Sequence, residues 1–239
     1  MTEISQRLES VRRRIESAAL RAGRDPSEIT LVGVSKKIAS SKVADALDAG
    51  LDHVGENYVQ EAVAKIAELR ASRSDPVSGS PVWHFIGQLQ RNKARHVATH
   101  FDVVETVDRV ALGAELDKRA GAAGRRLEIL LQVDLSGERT KGGIEPGGLK
   151  ELLAISQDWA HLQVTGLMTI PAPATEPEAN RLPFRALREL RDTLSGTPGG
   201  GKLSKLSMGM SGDFEVAVEE GATIVRVGTG IFGLRDSPT

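Results

Sequence analysis

The chain has 239 residues, of which 40% are hydrophobic and 26% are charged, and its net charge is −1. This balance is typical of a globular protein with a substantial core, and it gives no electrostatic case for binding nucleic acid or an anionic membrane. The absence of cysteine excludes disulfides, cysteine-ligated metals and thiol nucleophiles. Charges near the N-terminus and the lack of a stretch of about 18 apolar residues predict a cytoplasmic protein with no membrane span.

Predicted strands alternate with predicted helices after one N-terminal helix. Apolar residues at helical spacing indicate that this helix covers residues 3–22 and ends at Gly23. Eight strands are then predicted, at 30–36, 53–57, 82–87, 101–107, 127–135, 162–170, 203–208 and 222–227. The helices between them are predicted at 40–49, through 63–70, from about 92, and at 111–120, 149–155, 178–194 and 213–220.

Eight strands separated by helices in a chain near 250 residues are typical of the α/β class and of a (β/α)8 TIM-like barrel. We therefore predict one barrel domain over residues 1–239, with the extra N-terminal helix beneath or beside it. A doubly wound open sheet is the alternative, but no Gly-x-Gly-x-x-Gly motif follows the first strand.

The first predicted strand ends in Lys36 and Lys37. In parallel α/β folds, ligands bind at the C-terminal ends of the strands. A partly desolvated lysine there can have a lowered pKa and form a Schiff base with an aldehyde, whereas an isolated lysine more often extends to solvent. Because side chains alternate along a strand, we expect only one of the two to face the barrel interior.

Two glycine-rich turns follow the seventh and eighth predicted strands, at 207–214 and 226–233. Exposed backbone N–H groups at such turns, with a helix start behind them, favour phosphate. Ser211 either donates to that phosphate or caps the following helix, and we expect Asp213 to face away. Arg226 lies in an otherwise apolar strand, so it needs either a structural acceptor or a ligand atom.

A lysine after strand one and phosphate turns after strands seven and eight become neighbours when the barrel closes. This arrangement suits a phosphorylated aldehyde such as pyridoxal phosphate (PLP) or a sugar phosphate. Seven motifs distributed along the chain favour one of these two ligands. They lie at 34–37, 55–61, 83–93, 136–138 with Lys141, 166–168, 207–213 and 225–233. With these motifs the chain resembles the pyridoxal phosphate homeostasis protein family, whose fold is related to the barrel domain of alanine racemase.

The resemblance implies a set of PLP-binding residues. Lys36 would carry PLP as a Schiff base, although Lys37 stands where the family usually has threonine. The other implied residues are Ser211, Gly228 and Thr229 at the phosphate, Arg226 at the pyridine nitrogen and Asn57 near the ring. Because a guanidinium does not release its proton, this contact would leave the ring nitrogen unprotonated and the ring a weaker electron sink.

The resemblance also implies a non-catalytic role in storing, buffering or delivering PLP, with PLP-dependent apoenzymes as candidate partners. An amino-acid racemase on the same fold is the first alternative, but Tyr58 is the chain's only tyrosine and the related racemases take a tyrosine base from elsewhere. A cofactor-free Schiff-base aldolase that uses Lys36 is the second. We expect a monomer.

The histidines show no spacing typical of a metal site, so we predict no bound metal. His96 and His100 are four residues apart, but we place them at a helix end and a strand start, where they would not share a face. His84 lies on the third strand, where a packing role and a functional role are equally compatible with the sequence.

Overall fold

The computed structural model describes residues 2–72, 80–136 and 142–234. Eight parallel strands pair in chain order and close into a barrel, which confirms the predicted (β/α)8 fold. The strands are β1 (Thr30–Val34), β2 (His53–Glu56), β3 (Val82–Phe85), β4 (Val103–Val107), β5 (Leu127–Gln132), β6 (Leu162–Met168), β7 (Lys205–Ser207) and β8 (Ile224–Val227). The barrel closes where Thr30 of β1 lies opposite Ile224 of β8.

The helices form the outer wall of the barrel. They are α1 (Glu3–Arg21), α2 (Ser40–Asp48), α3 (Val59–Ser72), α4 (Ala94–His100), α5 (Val110–Ala122), α6 (Leu149–Ser156), α7 (Arg181–Leu194), α8 (Phe214–Glu219) and α9 (Thr229–Phe232). Within the described ranges, no helix is long and apolar enough to cross a membrane.

Several predicted strands extend too far at their ends. β1 ends at Val34 because the chain turns at Lys36 and Lys37. β5 ends at Gln132, after which Val133 forms an isolated bridge with Ile144. β7 is reduced to three residues, since a 3₁₀ turn at Gly200–Lys202 precedes it. The strands also differ in the length over which they pair. β5 and β6 pair at six positions, whereas β7 and β8 pair at one, Ser207 opposite Ile224.

The expected separation of His96 and His100 is wrong. Both lie in α4, one turn apart, because β4 begins at Val103 and the helix continues to His100. Among the described residues, no group of three or more histidines and carboxylates could hold a metal ion.

Inward-facing positions alternate along each strand and divide the barrel interior into apolar and polar parts. The apolar part is a buried cluster of Val32, Val103, Leu130, Met168 and Ile224. The polar part contains the buried side chains of His84, Glu105, Ser207 and Arg226. The main hydrophobic core lies between the strands and the surrounding helices.

The N-terminal helix flanks the barrel wall beside α8 and α9. Its predicted apolar face is buried, including Leu8 and Val11. On its outer side, Arg14 forms an ion pair with Glu215 at 2.8 Å, and Arg21 forms one with Glu219 at 2.9 Å. The buried apolar face therefore holds this helix against the wall, and the two ion pairs connect it to α8.

Glu220 follows α8 and holds three arginines of α7. Its side chain is 5% exposed and accepts hydrogen bonds from Arg181 at 3.1 Å, Arg185 at 2.8 Å and Arg188 at 3.0 Å. The hydrogen bond from Arg185 is the main reason that the pKa of Glu220 lies below its usual value, against the effect of burial.

We expect Glu220→Gln to reduce the free energy of unfolding by about 1.5–3 kcal/mol at neutral pH, because a charged acceptor is lost. A carboxylate with a lowered folded pKa stabilises the fold above its unfolded pKa and loses that effect as pH falls through the folded value. The difference in melting temperature from wild type should therefore be largest at pH 7 and shrink below about pH 4. Glu178→Gln, which alters an exposed partner of Arg181, is the control and should melt close to wild type. A pH-independent difference for Glu220→Gln would contradict the assignment.

Candidate functional site

A cavity of 290 Å³ opens at the C-terminal mouth of the barrel. It is lined by all six residues that the sequence predicts for a cofactor site, namely Lys36, Asn57, Ser211, Arg226, Gly228 and Thr229. Ligand sites of barrel folds occupy this face, so the cavity is the candidate functional site.

Lys36 and Lys37 lie in a turn beyond β1, so strand alternation is the wrong explanation for their separation. Lys37 adopts a left-handed backbone conformation with φ of 58°, and its N–H donates to Glu61 at 2.5 Å. The side chain of Lys37 is exposed, whereas Lys36 is half-buried and lines the cavity. The turn thus presents only the first lysine to the site.

Buried charges lie directly behind this turn. Lys65 of α3 donates to the Ser35 carbonyl at 2.6 Å and to Glu56 Oε1 at 2.5 Å. The Ser35 hydroxyl donates to the same carboxylate oxygen at 2.6 Å. Sequence analysis missed this group, although a lysine within the apolar stripe of a helix is a usable signal. Its position indicates that it fixes the backbone that carries Lys36.

The two glycine-rich turns meet at Ser211. Its Oγ accepts hydrogen bonds from the N–H groups of Gly228 at 3.2 Å and Gly230 at 3.4 Å. Backbone donors from the β8 turn therefore converge on one oxygen from the β7 turn. The helices behind the turns, α8 and α9, have only six and four residues, so the helix dipole contributes less here than the sequence suggested.

Asp213 is engaged within its own turn. Its Oδ1 accepts from the Met210 N–H at 2.6 Å, and its Oδ2 accepts from Asn180 Nδ2 at 2.7 Å. Both carboxylate oxygens thus have a donor in the protein, and the charge is used to shape the turn.

Arg226 is 3% exposed and has the structural acceptors that its burial requires. Its Nη1 donates to Ser207 Oγ at 2.5 Å, its Nη2 donates to the Thr169 carbonyl at 3.0 Å, and Glu105 Oε2 lies 3.8 Å from Nη1. The guanidinium also lines the cavity. Burial lowers its pKa, and the charge of Glu105 opposes that effect.

Comparison with known proteins places the chain in a family. A family profile described as alanine racemase, N-terminal domain, matches residues 7–236. The pyridoxal phosphate homeostasis protein of Escherichia coli K12 is 43% identical over 237 residues, covering 99% of this chain and 98% of the relative. That of Aquifex aeolicus is 43% identical over 230 residues, covering 96% and 97%. The chain belongs to the pyridoxal phosphate homeostasis protein family. A solved structure of PipY from Synechococcus elongatus with PLP bound is 38% identical, with a TM-score of 0.82, and the match covers 97% of this chain and all of that one.

Apolar side chains form the rest of the cavity wall in this member of the homeostasis protein family. They include Ile38, Ile86, Ile170 and Phe232. Sequence analysis did not single them out, because an apolar residue at a strand end has the same pattern whether it packs in the core or faces a ligand. Among the polar lining, Asn57 contributes an Oδ1 atom that is buried and has no hydrogen-bond partner among the residues that the structure describes.

Proposed function

We propose that this protein binds PLP covalently through Lys36 and serves PLP homeostasis by storing, buffering or delivering the cofactor, with little or no turnover of its own. The observation that carries the proposal is that an amine, a serine on which backbone donors converge and a buried arginine share one cavity of 290 Å³. Membership of a family whose relatives are pyridoxal phosphate homeostasis proteins supports the same conclusion.

The residues present fit PLP. When bound, PLP supplies an aldehyde that links to an amine and a conjugated ring that withdraws electrons. Lys36 offers the amine, while the Ser211 hydroxyl, the Thr229 hydroxyl and the turn amides suit the phosphate. The unpartnered oxygen of Asn57 offers an acceptor, and the apolar wall excludes water from a ring.

Two features around the proposed ring support low turnover, although the related racemases also place an arginine at the ring nitrogen. Arg226 keeps its proton, so it does not protonate the ring nitrogen and leaves the ring a weaker electron sink. Two-base racemisation also needs a second acid–base group across from the lysine. Tyr58, the chain's only tyrosine, is 50% exposed and lines a neighbouring cavity with Gln60 and Gln88. Its position does not favour the racemase alternative.

The test combines a spectrum with an assay of turnover and transfer. Purified protein loaded with PLP is expected to show a visible absorbance band that borohydride abolishes and converts to a stable adduct on a peptide containing Lys36. Incubation with enantiopure amino acids should leave their configuration unchanged, whereas incubation with a PLP-dependent apoenzyme should restore that enzyme's activity. A colourless protein that takes up no PLP would overturn the proposal and leave the aldolase reading. Size-exclusion chromatography with light scattering tests the expected monomer.

Ser211→Ala should weaken PLP binding at least about 10-fold, because a hydrogen bond to a charged phosphate is lost. Equilibrium dialysis or fluorescence titration measures the change. Pyridoxal, which lacks the phosphate, is the matched control ligand and should bind wild type and variant equally. An equal loss of affinity for both ligands would show that Ser211 shapes the cavity and does not contact the phosphate.

A further inference from the structure

A chain of polar side chains crosses the barrel interior, from the cavity to the N-terminal end of β2. All of its members are buried except His53, which is half-buried. Arg226 Nη1 lies 2.5 Å from Ser207 Oγ, which lies 2.6 Å from Glu105 Oε2. The other carboxylate oxygen, Oε1, lies 2.7 Å from His84 Nδ1, and His84 Nε2 lies 2.9 Å from His53 Nδ1. The chain joins four strands besides β8, and nothing in the proposed function accounts for it.

Between Arg226 and His84 the donors and acceptors fit together in one direction. An ionised carboxylate accepts and never donates, so the Ser207 hydroxyl and His84 Nδ1–H both donate to Glu105. The Ser207 oxygen is then available to accept from Arg226. His84 Nε2 can accept from His53 Nδ1–H when the His84 ring is neutral. Within this buried chain, the carboxylate of Glu105 and the guanidinium of Arg226 carry opposite charges and lie 3.8 Å apart.

We propose that Glu105 is a positioning residue for the cofactor, which holds the guanidinium of Arg226 in a fixed orientation towards the ring of PLP. Glu105 acts from inside the barrel through Ser207, and His84 fixes the carboxylate from the other side. The inference rests on the proposed PLP site and extends it to a residue outside the cavity lining.

Burial and charge support this role. Glu105 is fully buried, and it lies 3.8 Å from Arg226 Nη1. Burial alone would raise the pKa of Glu105, but the hydrogen bond from His84 and the charge of Arg226 hold it below the usual value, so the carboxylate is ionised. A buried arginine with four rotatable bonds needs such a counter-charge and a fixed acceptor to keep a single orientation.

The matched comparison is Glu105→Gln against Glu128→Gln. Glu128 also lies on a barrel strand, where it pairs with Lys205 at 2.6 Å and accepts from Thr165 at 2.8 Å. Both changes remove one carboxylate charge without changing side-chain size. The readouts are the ratio of the visible to the near-ultraviolet absorbance bands of PLP-loaded protein, and the rate at which PLP is lost on dilution.

We expect Glu105→Gln to change the band ratio and to speed the loss of PLP at least about 10-fold, because the contact of Arg226 with the ring is no longer fixed. Glu128→Gln should keep both values close to wild type. In an Arg226→Lys background, Glu105→Gln should change the band ratio no further. A Glu105→Gln spectrum equal to that of Glu128→Gln, or an undiminished effect in the Arg226→Lys background, would overturn the inference.

Melting of the PLP-free proteins shows whether the variants fold. If Glu105→Gln does not fold, Ser207→Ala replaces it, since this change breaks the connection and leaves the carboxylate beside the arginine. It should change the band ratio in the same direction, and an unchanged ratio would overturn the inference. If the wild-type protein forms no lysine adduct with PLP, the proposed function itself is refuted. If the wild-type protein forms the adduct but Glu105→Gln changes neither the band ratio nor the rate of PLP loss, only the positioning role is refuted.

Discussion

Lys36→Ala is expected to lose all borohydride-stable PLP, while Lys37→Ala keeps the full amount. The two lysines are adjacent and chemically identical, so a difference between the two variants reports where each side chain lies relative to the cavity. Lys36 lines the cavity, whereas the left-handed conformation of Lys37 directs the chain away and leaves its side chain exposed. The measurement is mass spectrometry of the reduced, digested proteins, with the molar amount of label counted per chain.

The Lys36→Ala variant keeps both glycine-rich turns of the proposed phosphate site, so it should still bind PLP reversibly with lower affinity. Equilibrium dialysis detects that binding, and an unchanged melting temperature of the PLP-free protein shows that the fold survives. Full labelling of Lys36→Ala, or loss of label from Lys37→Ala, would refute the assignment of the lysine.

The second large effect is expected on stability, at the buried pair behind the Lys36 turn. Lys65 is 4% exposed and Glu56 is fully buried. Lys65→Met keeps the apolar part of the side chain but leaves the carboxylate without its counter-charge. Breaking a buried pair in this way costs about 3–5 kcal/mol of folding free energy. Urea unfolding at neutral pH measures the loss, and Lys150→Met on the exposed side of α6 is the control, with little change expected.

The pH dependence of this variant has a definite sign. Burial raises the pKa of Glu56, and Lys65 partly offsets that increase. Without Lys65 the folded pKa rises further above its unfolded value, so the folded state binds a proton that the unfolded state releases. The stability deficit of Lys65→Met should therefore shrink as the pH is lowered from 7 towards about 5. The double variant Lys65→Met/Glu56→Gln should recover part of the loss at neutral pH. A deficit that stays constant with pH would contradict the pairing.

The sequence predicts the barrel and the mouth residues for a physical reason. Hydrophobic periodicity and turn residues are local signals, and a parallel barrel brings all C-terminal strand ends to one face. Lys36, Ser211, Gly228 and Thr229 follow strand ends, so their approximate meeting place follows from the strand order. The turn that holds Lys36 and Lys37, by contrast, depends on where β1 stops pairing. The predicted strand extends two residues beyond the observed end of β1.

The interior of the barrel is harder to predict because its contacts are long-range. Glu105 and Ser207 are 102 positions apart in sequence, and no local pattern pairs them. A charged residue in an apolar strand is nevertheless a signal, and Arg226 was recognised on that basis. Glu105 has the same pattern within 101–107 and would have been found by asking which buried acid balances the buried arginine.

The boundary between β7 and β8 is narrow, and both glycine-rich turns extend from it. Ser207 lies opposite Ile224, and backbone hydrogen bonds from Thr223 to Leu206 and from Met208 to Ile224 complete the pairing. Beyond the strands, the Ser211 hydroxyl joins the two turns by accepting from the amides of Gly228 and Gly230. A ligand that contacted both turns in the proposed site would therefore stabilise this boundary as well as bind to it, because binding to the folded state opposes local opening.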